Sequence, residues 1–364
     1  MNRPVLSEDS SELFDLCSPG GTLCPYGTRG LVGIGGQIGP ECEDFRVDEI
    51  PAYAPSGTGD HTFVQIRKTG LSTTAVRTLF AKAAKVSPRD IGVAGRKDTV
   101  AVTTQWFSVP GDLPEFSHPK VEILDAQKHA KKLRMGHLKG NRFSVKIVDV
   151  HPDAQMRLKA LLPRLNTGVP NYFGVQRFGW SGRSLVSAIR FIERPRRRVK
   201  DPRFLASVVQ SFVFNVWLGQ RIRDGHLRRA LPGDVLVRRE TGGLFCCEDA
   251  ALDTRRIEEG ELDLTGPLFG PKMMQGSGHG ADGEEAVKAL LAFKDDFWTT
   301  LGRFAPGGRR SSILRAEKLT VVGLPHRSYQ LSFTLPPGAY ATTLISELIH
   351  PMGVLRERAV LPST

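Results

Sequence analysis

Cysteine is scarce and unpatterned: five in 364 residues, at 17, 24, 42, 246 and 247, with no C-x-x-C pair among them. An odd count without framework spacing argues against a disulfide scaffold and indicates a reducing compartment. No stretch reaches the ~20 apolar residues that span a bilayer. The start, Met1-Asn2-Arg3-Pro4 running into Ser7-Glu8-Asp9-Ser10-Ser11-Glu12, lacks the apolar core of a secretory leader, so a cytoplasmic protein is expected. There is no G-x-x-x-x-G-K-[ST] phosphate loop, and Gly33-Ile34-Gly35-Gly36-Gln37-Ile38 lacks the third glycine of a dinucleotide loop, which disfavours nucleotide-dependent chemistry. The H-x-E and P-C-x-x-C signatures of a zinc nucleobase deaminase are missing too. Neither repeats nor low-complexity blocks occur. Acidic residues are outnumbered, 38 Asp and Glu against 50 Lys and Arg, for a formal charge of +12. That excess favours a polyanionic partner, although a basic enzyme with no nucleic-acid partner has the same balance.

With 40% hydrophobic residues, the chain can fold over most of its length and is long enough for two domains. Residues 1 to about 30 read as a weakly ordered extension. Phe45–Ile50 and His61–Lys68 read as strands, the second with Thr62, Val64 and Ile66 on one face. Ser72 is a good N-cap for a helix with Val76, Leu79, Phe80 and Ala83 inward, and Ser87-Pro88 opens a short turn. Phe143, Val145 and Ile147 alternate in a further strand, and a helix follows from Pro152 to Leu165. Later, helices are expected from Leu205 to about Arg223, from Glu284 to about Leu301 and from Tyr340 to His350. Loops are expected at Gly266–Pro271 and Gly276–Gly280, and a strand at Tyr329–Leu335. Strand, helix, turn and strand in this order indicate an α+β fold with a mostly antiparallel sheet.

The chemistry-bearing stretch is Gly95-Arg96-Lys97-Asp98-Thr99-Val100-Ala101-Val102-Thr103-Thr104-Gln105. Glycine permits a tight backbone, and the β-branched run behind it reads as a half-buried strand that would hold Asp98 rigidly. A carboxylate beside a cation stays ionised, as a nucleophile must. An exposed turn with a neutral ion pair is the plainer reading of these residues alone.

Two further segments, Gly140-Asn141-Arg142-Phe143 and Val169-Pro170-Asn171-Tyr172-Phe173-Gly174-Val175-Gln176-Arg177-Phe178-Gly179, change that balance. With Glu43-Asp44-Phe45-x-Val47-x-Glu49-Ile50, Gly57-x-Gly59-Asp60-His61-Thr62 and Leu335-Pro336-Pro337-Gly338-Ala339-Tyr340-Ala341-Thr342, the chain resembles the TruD family of tRNA pseudouridine synthases from about residue 30 to 350. The resemblance implies a pseudouridine-synthase-like catalytic domain of about 31–168 and 319–364, interrupted by an inserted α+β domain of about 169–318. It implies that uridine is isomerised to pseudouridine, at position 13 of tRNA(Glu), with Asp98 as nucleophile and with neither cofactor nor metal. Phe143 would stack on the target base, where the plain alternative is a core phenylalanine heading its strand. Asn141 would bond the base edge or orient the aspartate. Phe45 would line the same pocket or support it. Lys97 would lend positive field to phosphate or carboxylate, a solvated surface lysine being the alternative.

The basic run Lys128–Lys139, with Lys131, Lys132, Arg134 and Lys139, and the patch Arg196, Arg197 and Arg198 suit backbone phosphates, although each could be an ordinary solvated face. Arg177 could touch RNA or tie the domains together. One departure stands out. Family members carry Ile-Lys shortly before Pro-Glu-Asp-Phe, and this chain has Ile38-Gly39 and Cys42-Glu43-Asp44-Phe45. The usual lysine is therefore Gly39, and Arg46, Arg96, Lys97 or Arg142 are candidate replacements. The alternative reading is a non-catalytic tRNA-binding or folding chaperone derived from such an enzyme. A monomer is expected, with tRNA as partner and no membrane.

Overall fold

Period-2 burial lays down the strands. Along Phe45–Pro51, Phe45, Val47 and Glu49 are buried while Arg46 and Asp48 are exposed, which fits a sheet covered on one side. The structure is a computed structural model and describes residues 18–179, 182–195 and 199–351. It divides into two compact units. One consists of Ile34–Gln155 and Ala316–Ala341. The other consists of Met156–Arg315 with the described residues 18–33 and 342–351.

In the first unit the chain forms β1 (Gln37–Ile38), β2 (Phe45–Pro51), β3 (His61–Thr69), α1 (Thr73–Ala83), β4 (Gly92–Val93), β5 (Val102–Pro110), β6 (Val121–His129) and β7 (Leu138–Val148). Helix α2 (Ala154–Asn166) then leads into the second unit. There follow β8 (Val169–Pro170), α3 (Arg183–Glu193), α4 (Pro202–Arg223), β9 (Val235–Arg238), β10 (Leu244–Cys246), α5 (Ala250–Glu258), β11 (Leu262–Leu268), α6 (Gly278–Leu291), α7 (Asp295–Phe304), β12 (Gly308–Ser311) and β13 (Ile313–Leu314). The chain returns to the first sheet as β14 (Glu317–Leu324) and β15 (Ser328–Leu335) and ends in α8 (Ala341–Ile349).

The large sheet runs β14-β15-β7-β2-β5-β3-β6, with β1 on β7 and β4 on β5. Its described pairings are antiparallel except β2 with β5, the mostly antiparallel α+β arrangement that strand and helix periodicity indicates. Ser72 caps α1 by accepting from the Ala75 N–H, and Val76 and Phe80 bury against Val64, Ile66, Ile91 and Phe107. Each such side chain contributes roughly 1.5–3 kcal/mol relative to exposure. Leu79 and Ala83 are only partly covered.

The second unit holds a four-stranded sheet, β10-β9-β11-β12, and the pair β13-β8. Helix α4 runs through its core, with Val208, Val209, Phe212 and Val216 buried as expected. Three expectations change here. Gly266-Pro267-Leu268 is strand, because Gly266 lets β11 approach α4: a Cβ there would lie 2.4 Å from the Trp217 ring. Helix α6 already starts at Gly278, with Gly280 against the Gly233 carbonyl, where a Cβ would lie at 2.5 Å. The helix expected over 284–301 is two helices, since Ala292 adopts φ 48° and ends α6.

The N-terminal segment is also better anchored than its composition suggests. Residues 18–33 belong to the second unit, with Cys24 fully buried. The buried Glu347 carboxylate on α8 accepts the Gly27 and Thr28 N–H groups and the Thr28 hydroxyl, at 2.7, 2.9 and 2.6 Å. Tyr172 donates its hydroxyl to the Pro25 carbonyl. Thus α8 groups with the inserted segment by contact, where the expected division ran the first domain to the C-terminus. Residues 1–17 lie outside the described residues. No described helix is long and apolar enough to cross a membrane.

Glu347→Ala should leave the buried Thr28 N–H and the half-buried Gly27 N–H without their acceptor and cost about 2–4 kcal/mol. Amide exchange followed by mass spectrometry should show residues 18–33 losing protection in this variant, while β2, β5 and β7 keep theirs.

Candidate active site

Strand register gathers the unusual side chains on one face of the large sheet. Glu49 of β2 pairs with Asn141 of β7, and Val47 pairs with both Phe143 and Thr103. Thr103 also pairs with Lys68 of β3, and Gln105 pairs with Ile66. Because paired residues point to the same side, Glu49, Lys68, Thr103, Gln105, Asn141 and Phe143 share that face. On it, Glu49, Lys68, Thr103 and Gln105 are buried polar residues.

Asp98 lies in the loop between β4 and β5, not on a strand edge: Thr99–Ala101 bend, and β5 begins only at Val102. Side chains, rather than a strand, fix this loop. The Lys97 N–H donates to Thr73 Oγ1 at 2.9 Å, and Thr73 donates onward to Gln105 Oε1 at 2.9 Å. The Lys97 ammonium pairs with Glu49 Oε2 at 2.6 Å, the two side chains being 4% and 1% exposed. Glu49 Oε1 also accepts the Trp106 N–H at 3.2 Å. Lys97 is therefore neither a solvated surface lysine nor free to meet a phosphate. Gly95 has no positive φ, so conformational freedom does not explain it. A Cβ at Gly95 would instead lie 3.3 Å from the Lys97 ammonium, so its small size leaves room for the ion pair.

Lys68 is fully buried and donates from Nζ to the Leu71 carbonyl at 2.6 Å and to the Asp98 carbonyl at 3.0 Å. Burial pushes its pKa down to about 8, against the raising effect of Asp98. Asp98 keeps solvent access, yet enough protein surrounds it that desolvation raises its pKa, while Lys68 and Lys97 pull it back. The two observations agree for a carboxyl that is open to solvent but hemmed in by apolar and cationic neighbours.

Phe143 is 7% exposed, stacked on Phe333 with ring centroids 5.2 Å apart and edge-on to Phe45 at 6.1 Å. Both Phe45 and Phe143 thus pack in an aromatic cluster, and Phe143→Ala would open a core cavity as well as remove a ring. Asn141 Oδ1, Gln105 Nε2 and Thr103 Oγ1 are buried without a hydrogen-bond partner. Unpaired buried polar atoms are costly, and a site awaiting a polar ligand is one setting that retains them.

Gly39 donates its N–H to the Lys146 carbonyl, and a Cβ there would lie 2.4 Å from the Asp44 carboxylate. Of the candidate replacements, Arg46 and Arg142 are exposed at register positions alternate to Glu49 and Asn141, on the opposite face. Arg96 is exposed. Lys68 and Lys97 are the cations whose charge acts on Asp98. Sequence reasoning missed Lys68, although Thr62, Val64 and Ile66 already point at it: the next inward position of that strand is a lysine.

Lys131, Arg134 and Lys139 are exposed, and Lys132 bonds the Arg89 carbonyl. The loop of Lys131, Lys132 and Arg134, just before β7, is joined to the Asp98 loop by the Gly136 N–H donating to the Ala94 carbonyl at 2.8 Å. Arg177 faces inward instead, donating to Ser207 and Ser211 and lying over the Phe204 ring at 5.2 Å, so its guanidinium is engaged within the second unit. Arg196, Arg197 and Arg198 lie outside the described residues. Among the described residues, no group of three or more His, Cys, Asp or Glu could hold a metal ion.

Over residues 25–190 and 197–348 the chain matches the family model of tRNA pseudouridine synthase D (TruD). A protein named tRNA pseudouridine synthase D from an Anaeromyxobacter species is 40% identical over 92% of this chain and 99% of its own length. Its namesake from Thermus thermophilus is 37% identical over 89% and 92%. A crystal structure assigned as tRNA pseudouridine synthase D from Methanosarcina mazei superposes with a TM-score of 0.72 at 22% identity, over 92% of this chain and 98% of that one, and so shares the fold.

Glu49→Gln and Lys97→Met should each strand a buried charge and cost roughly 3–5 kcal/mol. The double variant should cost less than the sum of the two, as read by urea denaturation in a double-mutant cycle.

Proposed function

The chain belongs to the TruD family of tRNA pseudouridine synthases, and from that premise we propose that it isomerises uridine to pseudouridine in tRNA, at position 13, with tRNA(Glu) as substrate and Asp98 as nucleophile. The observation that carries the reading is a solvent-accessible carboxyl on a loop tied down by Lys68, Lys97 and Thr73. The reaction breaks the C1′–N1 bond, turns the base and joins C1′ to C5. The proton leaving C5 is balanced by one gained at N1, so substrate and product are isomers and no redox partner is consumed.

Asp98 must be ionised to attack, and the neighbouring ammonium groups favour that form. A uridine in a folded tRNA must leave its stack to be reached, and an aromatic surface beside unpaired polar atoms suits a flipped base. Asn141 Oδ1 can accept the uracil N3–H, and Gln105 Nε2 can donate to a ring carbonyl. Phe143 and Phe45 back this site from an aromatic cluster, in contact with the base only along what the cluster leaves open. Lys131 and Arg134, on a loop bonded to the Asp98 loop, and Lys139, at the start of β7, are exposed donors for tRNA phosphates. Lys132, engaged at the Arg89 carbonyl, adds its charge to the same loop. A cytoplasmic monomer is part of this reading. The chaperone alternative keeps the basic loop but gives no role to the ionised carboxyl.

Transcribed tRNA(Glu) treated with the protein should show a label-dependent primer-extension stop at position 13. Asp98→Asn should lower turnover at least 10³-fold while tRNA binding stays within a few-fold. Turnover by the wild type should fall as pH drops through the Asp98 pKa, with the midpoint above the ordinary aspartate value of about 3.9, because the protonated carboxyl cannot attack. Salt-sensitive tRNA binding without product would instead favour the chaperone.

A further inference from the structure

A fully buried lysine is uncommon, because desolvating an ammonium costs more than most side chains can return. Such a group persists where fixed acceptors hold it. Lys68 has two backbone carbonyls as acceptors, and they come from different segments. Leu71 belongs to the turn between β3 and α1, and Asp98 to the loop between β4 and β5. One ammonium therefore joins the start of α1 to the residue on which the proposed reaction depends.

We propose that Lys68 is the positioning residue of Asp98: its buried ammonium bonds the Asp98 main-chain carbonyl, fixes the loop that carries the carboxyl, and supplies positive charge beside it. This rests on Asp98 acting as proposed above. Lys97 cannot fill the role in the same way, since its ammonium is committed to Glu49. Lys68 is also anchored from below, lying in β3 opposite Thr103 of β5. The charged and titratable groups acting on it are Asp98 and Lys97 from the loop before β5 and Cys42 from the turn before β2.

The inference has a pH signature. A neutral amine still has two N–H donors, so deprotonation keeps the tether to both carbonyls but removes the charge. With Lys68 held near 8, turnover should fall as pH rises through that value. Over the same window Lys68's own contribution to stability rises, because the unfolded chain keeps the proton to about 10.4. Its share of any alkaline loss is therefore not unfolding.

The test compares full-length wild type, Lys68→Met and Lys68→Arg in steady-state pseudouridine formation on tRNA(Glu) across pH 6–9.5, with circular dichroism and filter binding as controls. Lys68→Met should bind tRNA with KM within about threefold of wild type and lose at least 100-fold in kcat at neutral pH. Lys68→Arg keeps a charge at every pH, so it should retain more activity and lose the alkaline limb near pH 8. Full kcat in Lys68→Met, or an unchanged alkaline limb in Lys68→Arg, would overturn the assignment; if Lys68→Met does not fold, the arginine profile decides. Should the wild type form no pseudouridine, it is the reading of the function that falls. The link to Asp98 is then judged from the carboxyl carbon of Asp98 in 13C NMR, identified by its absence in Asp98→Asn. Its titration midpoint should rise in the folded variant that carries no charge at 68, and an unchanged midpoint would overturn the proposal.

Discussion

The first unit is organised around the burial of charge beneath one face of its sheet. Glu49 and Lys97 form an ion pair almost wholly removed from solvent, and Lys68 is sealed beside Asp98. Burial of such groups is unfavourable unless every donor meets an acceptor. For the charged groups the geometry answers that demand in part with backbone groups as well as side chains: Glu49 accepts the Trp106 N–H, and Lys68 donates to two carbonyls. Each bond also ties one segment to another. Satisfying the charges and fixing the Asp98 loop are therefore the same act, and the loop needs no strand to be rigid.

Hydrophobic packing supplies the frame in which this is possible. Helix α1 lies over the sheet through Val76 and Phe80, and its first residue, Thr73, reaches into the polar cluster. Apolar contact thus sets the helix at the height where its N-terminal hydroxyl can accept from Lys97 and donate to Gln105. A shift of the helix by one residue would carry Thr73 off that face and leave Gln105 without either end paired. Phe143, stacked on Phe333 and edge-on to Phe45, covers the same face with aromatic rings.

Much of this was legible in the amino-acid pattern, and its gaps have physical causes. Alternation along Phe45–Glu49 and Phe143–Ile147 located strands whose inward residues are buried, and Ser72 marked the start of α1. The Asp98 loop was legible as a motif but not as a loop, because β-branched residues from Thr99 onward have strand propensity whether or not they find a partner. Gly266 and Gly280 looked like loop formers because a glycine demanded by a close neighbour reads the same as one demanded by a turn. Residues 18–33 and α8 group with the second unit through long-range contacts that no local pattern encodes, such as Tyr172 with Pro25, Arg223 with Thr22 and Thr343 with the Tyr172 carbonyl. Lys97 read either as a source of field for phosphate or carboxylate or as a solvated lysine, because its partner Glu49 lies 48 residues away. Lys68 was hidden by habit of reading, since lysine inside a strand is taken to face water.

The Asp98 site holds balanced formal charge without a cation from position 39. Around Asp98 two ammonium groups, of Lys68 and Lys97, face two carboxylates, of Glu49 and Asp98 itself. The cluster is neutral as it stands. Glu49, Lys97 and Lys68 are its buried part, while Asp98 keeps access to solvent. The space beside Gly39 is taken by the Asp44 carboxylate, which accepts the Glu41 N–H and closes the turn before β2. A lysine side chain could enter there only by displacing that carboxylate and opening the turn from which Phe45 departs. A glycine at 39 thus keeps the turn before β2 closed and leaves Phe45 where it joins the aromatic cluster.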